Sequence, residues 1–370
     1  MSLFDGSGLA ALSREDVKEL SKAIQTAFYA KPNINEFHTI VSGIKHDQQI
    51  LILGIWDSLT GKLRTQCEET ENPGSVGASE KTWSPKLIGD RFEECFTDLM
   101  DLFWKYSLKS GVNKDDLTST DFAAFIQSVL TDAIAEGVFR HVWFGDTDAA
   151  NYNSSPAGHI KNGTTLAYFN VIDGYWKQIF DIVTADSDRK TVYVAADTSS
   201  LATKNAQATF ALQRFNATDT TNELVTNSLQ YIIDNADTRL VSGSEAPIFI
   251  VTKTIADQYK RERKKVSGID MAYQRVEQGI MKLQCDGFDL YVFDFMDRMI
   301  NGYENNGTKW YLPHRILFTT KSNLQVGTEE TSNLAQLEAF YSQYHDKYVI
   351  KYAYSLDAKI IEDYKVQVAY

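Results

Sequence analysis

Cysteine is scarce: three residues in 370, Cys67, Cys95 and Cys285, with no CxxC pair and no histidine at ligand spacing. A set so sparse and odd in number argues against a disulfide framework or a zinc site and fits reduced thiols. Long apolar runs are also missing, and nothing approaches the ~20 consecutive apolar residues that span a bilayer. The stretch from Met1 to Gly8 lacks the basic and apolar blocks of a secretory signal, so synthesis in a cytosol is expected. The N-x-S/T triplets opened by Asn153, Asn162, Asn216 and Asn306 are then chance matches. Basic charge is in deficit, 37 Lys and Arg against 49 Asp and Glu, for a formal charge of -12. That sign disfavours a dedicated nucleic-acid binder, whose affinity comes from neutralising phosphates. It suits a protein that must stay soluble at high concentration before it associates.

What is present is ordinary globular material. The chain is long enough for about two domains, and its 12% aromatic content argues against disorder. Residues 13–30 read as a helix, opened by Ser13 and Asp16, carried by Val17, Leu20, Ile24, Ala27 and Phe28, and closed by Pro32. Ile40-Val41 and Ile50 to Leu53 read as strands with Lys45 to Gln48 turning between them. Glu68 to Gly77 is polar and aperiodic, the tip of a surface β-ribbon or of an assembly arm. Trp83 and Pro85 mark a return to compact structure.

Two helical patterns follow. Phe92, Cys95, Phe96, Leu99, Phe103 and Tyr106 form one stripe. Phe122, Phe125, Ile126, Val129, Leu130, Ala133, Ile134 and Val138 form a second, over about 120–140. The second would extend roughly 30 Å, enough for a structural spine, with the aromatic-rich stretch from Phe139 to Phe144 leading to Gly145. Residues 146–163 are loop chemistry and a candidate domain boundary. Helices are expected over 169–183, Leu224 to Leu240 and Ile255 to Lys264. Strands are expected at Thr191 to Val194, Pro247 to Thr252, Phe288 to Phe293, Arg315 to Thr319, Tyr348 to Tyr354 and Ala358 to Tyr370. Strands alternating with helices indicate a mixed α/β (α+β) chain.

No catalytic constellation emerges. Gly6-Ser7-Gly8 is a GxG with no preceding strand, and there is no GxxxxGK[ST] and no HExxH. The six histidines stand singly, and His141, beside Trp143 and Phe144, reads as a structural imidazole. Asp146-Thr147-Asp148 lacks the glycine and distal glutamate of a calcium loop, so turn roles are favoured. Gly74-Ser75-Val76-Gly77 is not a nucleophile elbow. Lys260 to Lys265 is the one basic cluster, read first as a solvated helix end and only second as a nucleic-acid contact. Catalytic, cofactor-binding and metal-ligating residues are therefore not assigned. An arm helix and a polar-tipped ribbon bury little within one chain, and such parts are normally ordered by neighbouring subunits.

Phe249 to Thr254 with Tyr259-Lys260, Val276 to Gly279, Asp286 to Tyr291, Leu312 to Thr328 and Lys351 to Lys359 resemble segments of tailed-bacteriophage major capsid proteins with the Hong Kong 97-type fold. The order of parts resembles that family along nearly the whole chain. The resemblance implies an N-terminal arm (1–35), an extended β-hairpin loop (36–88), a peripheral domain with a long spine helix (89–163 and 329–370) and an axial domain (164–328). It implies a structural subunit, not an enzyme, that self-assembles into hexamers and pentamers of an icosahedral shell around double-stranded DNA. Portal and a separately encoded scaffolding protein would be partners, with assembly in the host bacterial cytoplasm and residence in the virion. No membrane and no cofactor are implied. Trp56 and Trp83, which flank the ribbon, are candidate assembly contacts because tryptophan is enriched at interface hot spots. An encapsulin-like compartment shell is the alternative, and an α/β enzyme with an unrecognised site a more distant one. The last would need residues of the 146–163 loop to converge with distant acids or bases in one pocket.

Overall fold

The apolar runs around Phe249 and Leu317 are continuous because their strands are covered on both faces. Strands β1 (Thr39–Ser42), β2 (Gln49–Trp56), β3 (Val76–Thr82), β4 (Lys86–Cys95), β5 (Ile248–Val251), β6 (Gln274–Glu277) and β7 (Ile280–Cys285) are followed by β8 (Phe288–Phe293), β9 (Ile316–Thr319), β10 (Leu324–Thr328), β11 (Glu338–Ser342), β12 (Lys347–Ile360) and β13 (Gln367–Ala369). Six of them form a mixed sheet in the order β13-β9-β5-β8-β7-β6, in which only β5 and β8 run parallel. Side chains alternate between its two faces with the period of a strand. Ile250, Leu317 and Phe293 enter one apolar cluster. Phe249, Val251, Ile316, Phe318, Leu290 and Val292 enter the other.

The computed structural model describes residues 37–56, 76–95, 133–268, 270–277, 280–329, 338–342 and 347–370. The expected helix over 13–30, the ribbon tip, the stripe from Phe96 to Tyr106 and the first half of the spine helix lie outside the described residues.

Five major helices are described: α1 over 133–144, α2 (Tyr175–Ala185), α3 (Leu224–Asn235), α4 (Lys253–Ser267) and α5 (Asp294–Gly302). Ile134, Val138 and Val142 recur every four residues on the buried face of α1, with Trp143 and Phe144 behind them. The helix runs through the aromatic stretch to 144 and ends at Gly145, as expected. It stops where Gly145 meets the carbonyls of His141 and Ile172, which an added Cβ would approach to 2.5 and 2.4 Å. α3 and α4 cover the second cluster, contributing Val225, Leu229, Ile232, Ile255, Ala256 and Tyr259.

The basic run in α4 carries a buried exception. Glu262 accepts hydrogen bonds from the backbone N–H groups of Val225 (3.1 Å) and Thr226 (2.7 Å) and from the Thr226 hydroxyl (2.9 Å). It thereby caps α3, whose own N-cap residue, Glu223, has φ 51° and no side-chain cap. Burial pushes the Glu262 carboxyl up, against those hydrogen bonds. The lysines around it face outward, as expected of a solvated helix end.

Several elements differ from expectation. Phe92 and Cys95 belong to β4, not to a helix, because β4 pairs antiparallel with β12 from Lys86↔Leu356 to Cys95↔Lys347. A ten-residue cross-strand ladder outweighs an i, i+3 apolar spacing that either structure tolerates. Tyr348 to Tyr354 is part of one fourteen-residue strand, β12, which also takes in Ala358 to Ile360; beyond Ile360 only Gln367 to Ala369 forms a strand. β12 is long because it serves successive partners, β4 and β11 on its first part and β10 on its last. The helix expected over 169–183 begins at Tyr175, with Phe169 and Ile172 buried in the preceding turns. α3 ends at Asn235, and a separate short helix, Thr238–Val241, follows. Thr191 to Val194 forms no strand; only one bridge, between Lys190 and Val368, lies beside it.

An ion pair lies inside the first cluster. Arg315 is fully buried and pairs with Glu304, while its Nε donates to the Leu312 carbonyl at 2.8 Å and Nη2 to that of Tyr311 at 3.1 Å. The guanidinium carbon lies 5.1 Å from the Trp176 ring centre and 5.5 Å from that of Phe144. Arg315 Nη1 has no hydrogen-bond partner, so the aromatic faces supply its electrostatic compensation.

Candidate assembly elements

The turn from Lys45 to Gln48 forms as expected, but it does not join β1 to β2 in a hairpin. β1 pairs parallel with β10, and β2 pairs antiparallel with β3 across residues 57–75. Gln48 N–H donates to the Lys45 carbonyl at 3.1 Å, and Asp47 takes the left-handed conformation that aspartate tolerates (φ 62°). The turn thus hands the chain from the body of the protein to a two-stranded ribbon.

The base of that ribbon is clamped. Trp83 N–H donates to Gln48 O at 2.9 Å, and Asp47 N–H donates to Trp83 O at 3.0 Å. Trp83 is 2% exposed, and its ring lies flush against Gly327 of β10, where an added Cβ would sit 2.6 Å from Cζ3 and 2.5 Å from Ile44 Cδ1. Gly327 is thus required by close approach. Lys81 Nζ donates to the Ile360 carbonyl (2.7 Å) and to Asp363 (2.5 Å). Ser84 N–H donates to the buried Asp357 carboxylate at 2.7 Å, and Asp357 is pushed up by burial, against the pull of nearby Lys359. Beyond these anchors, β2 and β3 pack on each other and on no other described strand or helix to a comparable degree. Leu51, on the ribbon, is 56% exposed.

Of the two tryptophans singled out in the sequence, Trp83 is at the ribbon base and Trp56 ends β2 opposite Val76. The structure does not bring them together; they mark two ends of one strand pair. The anchors Lys81, Asp357 and Asp363 carried no sequence signal, since Lys81 and Asp363 are 282 positions apart.

A cleft of about 550 Å³ lies elsewhere, between α4, α5 and the segment before β9, lined in part by Arg214, Lys253, Asp257, Asp297, Trp310 and His314. Its acidic groups and its histidine are already engaged. Asp297 accepts from the N–H of Lys253 at 2.6 Å, at the N-terminus of α4, and burial pushes its carboxyl up to about 6. His314 Nε2 lies 2.7 Å from the Gln213 carbonyl, so it carries the proton, and Nδ1 accepts from the Thr254 hydroxyl at 2.9 Å. Lys253 pairs with Asp257 at 3.7 Å. No residue of the 146–163 loop lines this cleft. That loop contributes His159, 3.6 Å from Glu304, but Glu304 is 4% exposed and its other oxygen holds Arg315. Asp146 and Asp148 fill turn roles, with Asp148 N–H donating to the Asp146 carboxylate at 2.9 Å. Among the described residues no cluster of His, Cys, Asp and Glu could hold a metal ion, and no helix is long and apolar enough to cross a membrane.

Burial holds His314 down to about 4 from an ordinary 6.5, and His141 likewise, with Arg140 adding to the effect there. Between those two values the unfolded chain takes up a proton that the folded chain refuses. Stability from His314 is therefore full above about pH 6.5 and is lost as pH falls towards about 4. Asp297 works in the opposite sense over an overlapping range, so the comparison must be with a variant. Relative to His314→Gln, the wild type is expected to lose about 3 kcal/mol between pH 6.5 and 4 in denaturant titrations. Parallel profiles would contradict it.

No family model and no curated protein matches the chain. Solved structures do. The chain is similar to the satellite phage P4 procapsid including size determination (Sid) protein, at 9% identity and a TM-score of 0.49, over 100% of this chain and 92% of that one. It is similar to a Mycobacterium phage Ogopogo structure at 10% identity and a TM-score of 0.49, over 90% of each chain. A virus-like particle from Pyrococcus furiosus gives 9% identity and a TM-score of 0.40, over 95% and 98%. All three likenesses are to structures of phage or virus-like particles, at 10% identity or less and with TM-scores below 0.5.

Proposed function

We propose that the chain is the major capsid protein of a tailed bacteriophage, a Hong Kong 97-type subunit that builds hexamers and pentamers of an icosahedral shell. The observation that carries this reading is the ribbon. Two strands are held at their base by a buried tryptophan, a lysine latch and a buried carboxylate, and beyond that no other described strand or helix packs on them to a comparable degree. A strand pair in water with only one another to pack on is marginal. An anchored base whose two strands have each other as their main described partner fits an element completed by a neighbouring subunit.

In this reading residues 1–35 are the arm, 36–88 the extended loop, 89–163 and 329–370 the peripheral domain, and 164–328 the axial domain at the capsomer centre. Arm and loop lie across adjacent subunits, and heterologous contacts of this kind close into rings when the rotation permits. Trp56 and Trp83 contribute to those contacts, Trp83 by fixing the direction of the loop. Double-stranded DNA is enclosed without sequence-specific contacts, a separately encoded scaffolding protein and a portal join assembly in the host bacterial cytoplasm, and the finished subunit resides in the virion. No step of chemistry is assigned to the chain.

Electron microscopy of the expressed protein, alone and with a co-expressed scaffold, is expected to show rings or closed shells with five- and six-fold capsomers. A stable monomer at high concentration under both conditions would overturn the reading. Shells that enclose a protein cargo in place of DNA would favour the encapsulin-like alternative.

A further inference from the structure

Asn162-Gly163-Thr164 and Asn306-Gly307-Thr308 are the same tripeptide in different surroundings. Asparagine before glycine is open to attack by the next main-chain nitrogen, because glycine has no side chain to shield that nitrogen or to restrict the backbone. The sequence holds three such pairs, the third being Asn301-Gly302. The fold decides which of them can react.

At Asn306 both reacting groups are held. Gly307 N–H donates to Asn305 Oδ1 at 3.1 Å, and Asn305 is itself buried, with Nδ2 donating to Asn301 O at 2.9 Å. The Asn306 carboxamide oxygen accepts from the N–H groups of Thr308 (2.9 Å) and Lys309 (2.8 Å) and from the Thr308 hydroxyl (2.8 Å). Gly302 ends α5, where its N–H belongs to a helical ladder that continues with Tyr303 N–H to Met299 O at 2.9 Å. Asn162 is under neither restraint. Asn162 and Gly163 are exposed, and Gly163 N–H makes no hydrogen bond among the described residues. One donor, Asn153 N–H at 2.9 Å, holds the Asn162 carboxamide. One hydrogen bond, Thr164 N–H to Lys161 O at 3.2 Å, closes the turn around the pair, with Gly163 at φ 83°.

We propose that Asn162 is a self-modification site, which converts to aspartate and isoaspartate through a cyclic imide formed with the nitrogen of Gly163. Hydroxide removes the Gly163 amide proton, and the nitrogen bonds to Asn162 Cγ. The bond from Cγ to Nδ2 then breaks, and Nδ2 leaves as ammonia after taking a proton from water. A second water opens the ring at either carbonyl. Opening at the side-chain carbonyl restores the ordinary main chain as aspartate. Opening at the main-chain carbonyl leaves Gly163 attached through Cγ, as isoaspartate. The sum is one water consumed and one ammonia released, with no change of oxidation state. Bringing the nitrogen to Cγ requires rotation at 162–163, which gives up the turn bond and the Asn153 contact. At Asn306 the same movement gives up four hydrogen bonds, one of them from the attacking nitrogen itself. The product places a carboxylate, and in isoaspartate an extra main-chain carbon, beside Lys161, whose N–H ties the 146–163 loop to Tyr303 O at 2.7 Å.

The inference does not rest on the shell reading. The test is incubation of the full chain at mildly alkaline pH, followed by peptide mapping with mass spectrometry that separates aspartate from isoaspartate. In the folded chain the Asn162 peptide should convert at least about tenfold faster than the Asn306 peptide, the factor that one net hydrogen bond lost on the way to the reactive geometry supplies. In denaturant the two identical tripeptides should convert at nearly the same rate, with Asn306 faster than in the folded chain. Isoaspartate at 162 alongside aspartate identifies the cyclic imide, since direct hydrolysis of the carboxamide gives aspartate alone. Equal rates at the two positions in the folded chain, a difference that persists undiminished in denaturant, or aspartate without isoaspartate would overturn the proposal.

Discussion

Replacing Glu304 with alanine is expected to cost about 3–5 kcal/mol of stability, the range measured when one partner of a buried ion pair is removed. Arg315 has no route to water: it is fully buried, and the groups around it are rings and carbonyls. Without Glu304 its charge is left with two carbonyl contacts and the aromatic faces, which are worth far less than a desolvated carboxylate. His159, stacked on Tyr311 at 4.8 Å between ring centres, loses its acidic neighbour as well. Denaturant unfolding followed by tryptophan fluorescence is the natural measurement, since Trp176 lies directly over the guanidinium. The double variant Glu304→Leu with Arg315→Met should recover most of the loss, because removing both charges removes the desolvation cost along with the attraction. A single variant as stable as the wild type would show that Arg315 does not depend on this carboxylate.

Trp83→Ala is expected to cost about 3–5 kcal/mol, as large aromatic deletions in packed sites do. Its consequence is regional as well as global. Trp83 closes the seam between the ribbon and β10, so its removal leaves Lys81 and Ser84 to hold the base alone. Hydrogen exchange should quicken in β2 and β3 before it does in the six-stranded sheet. Gly327→Ala should reproduce part of the effect, because the new Cβ would meet the same ring at 2.6 Å. If the ribbon is an assembly element, both variants should also lower the yield of closed particles. Equal acceleration of exchange in every strand would mean that Trp83 supports the core in general and not the ribbon's base.

These expectations depend on groups that are distant in the chain, and the contrast with what was legible earlier is instructive. β5, β8 and β9 were readable because a strand buried on both faces leaves an unbroken apolar run. α4 was readable as the helix that follows a buried strand and closes on a basic end, and the spine helix was readable over the part that is described, where Ile134 and Val138 are buried. Phe92 and Cys95 were misread because spacing by three fits a helix and says nothing about a waiting partner strand. Lys81, Asp357, Glu262, Glu304 and Arg315 drew no notice as a set. A charged residue in a polar stretch is unremarkable until the fold buries it, and their partners come from other segments of the chain.

Local composition, then, determined which segments are apolar enough to form the interior, where turns fall, and that no familiar nucleotide, zinc or hydrolase motif is present. It could do so because periodicity and turn chemistry act over a few neighbouring residues. The tertiary structure decided which strand pairs with which and which ionisable groups are stripped of water. Those outcomes depend on where segments hundreds of residues apart come to lie, and burial and pairing are properties of that arrangement.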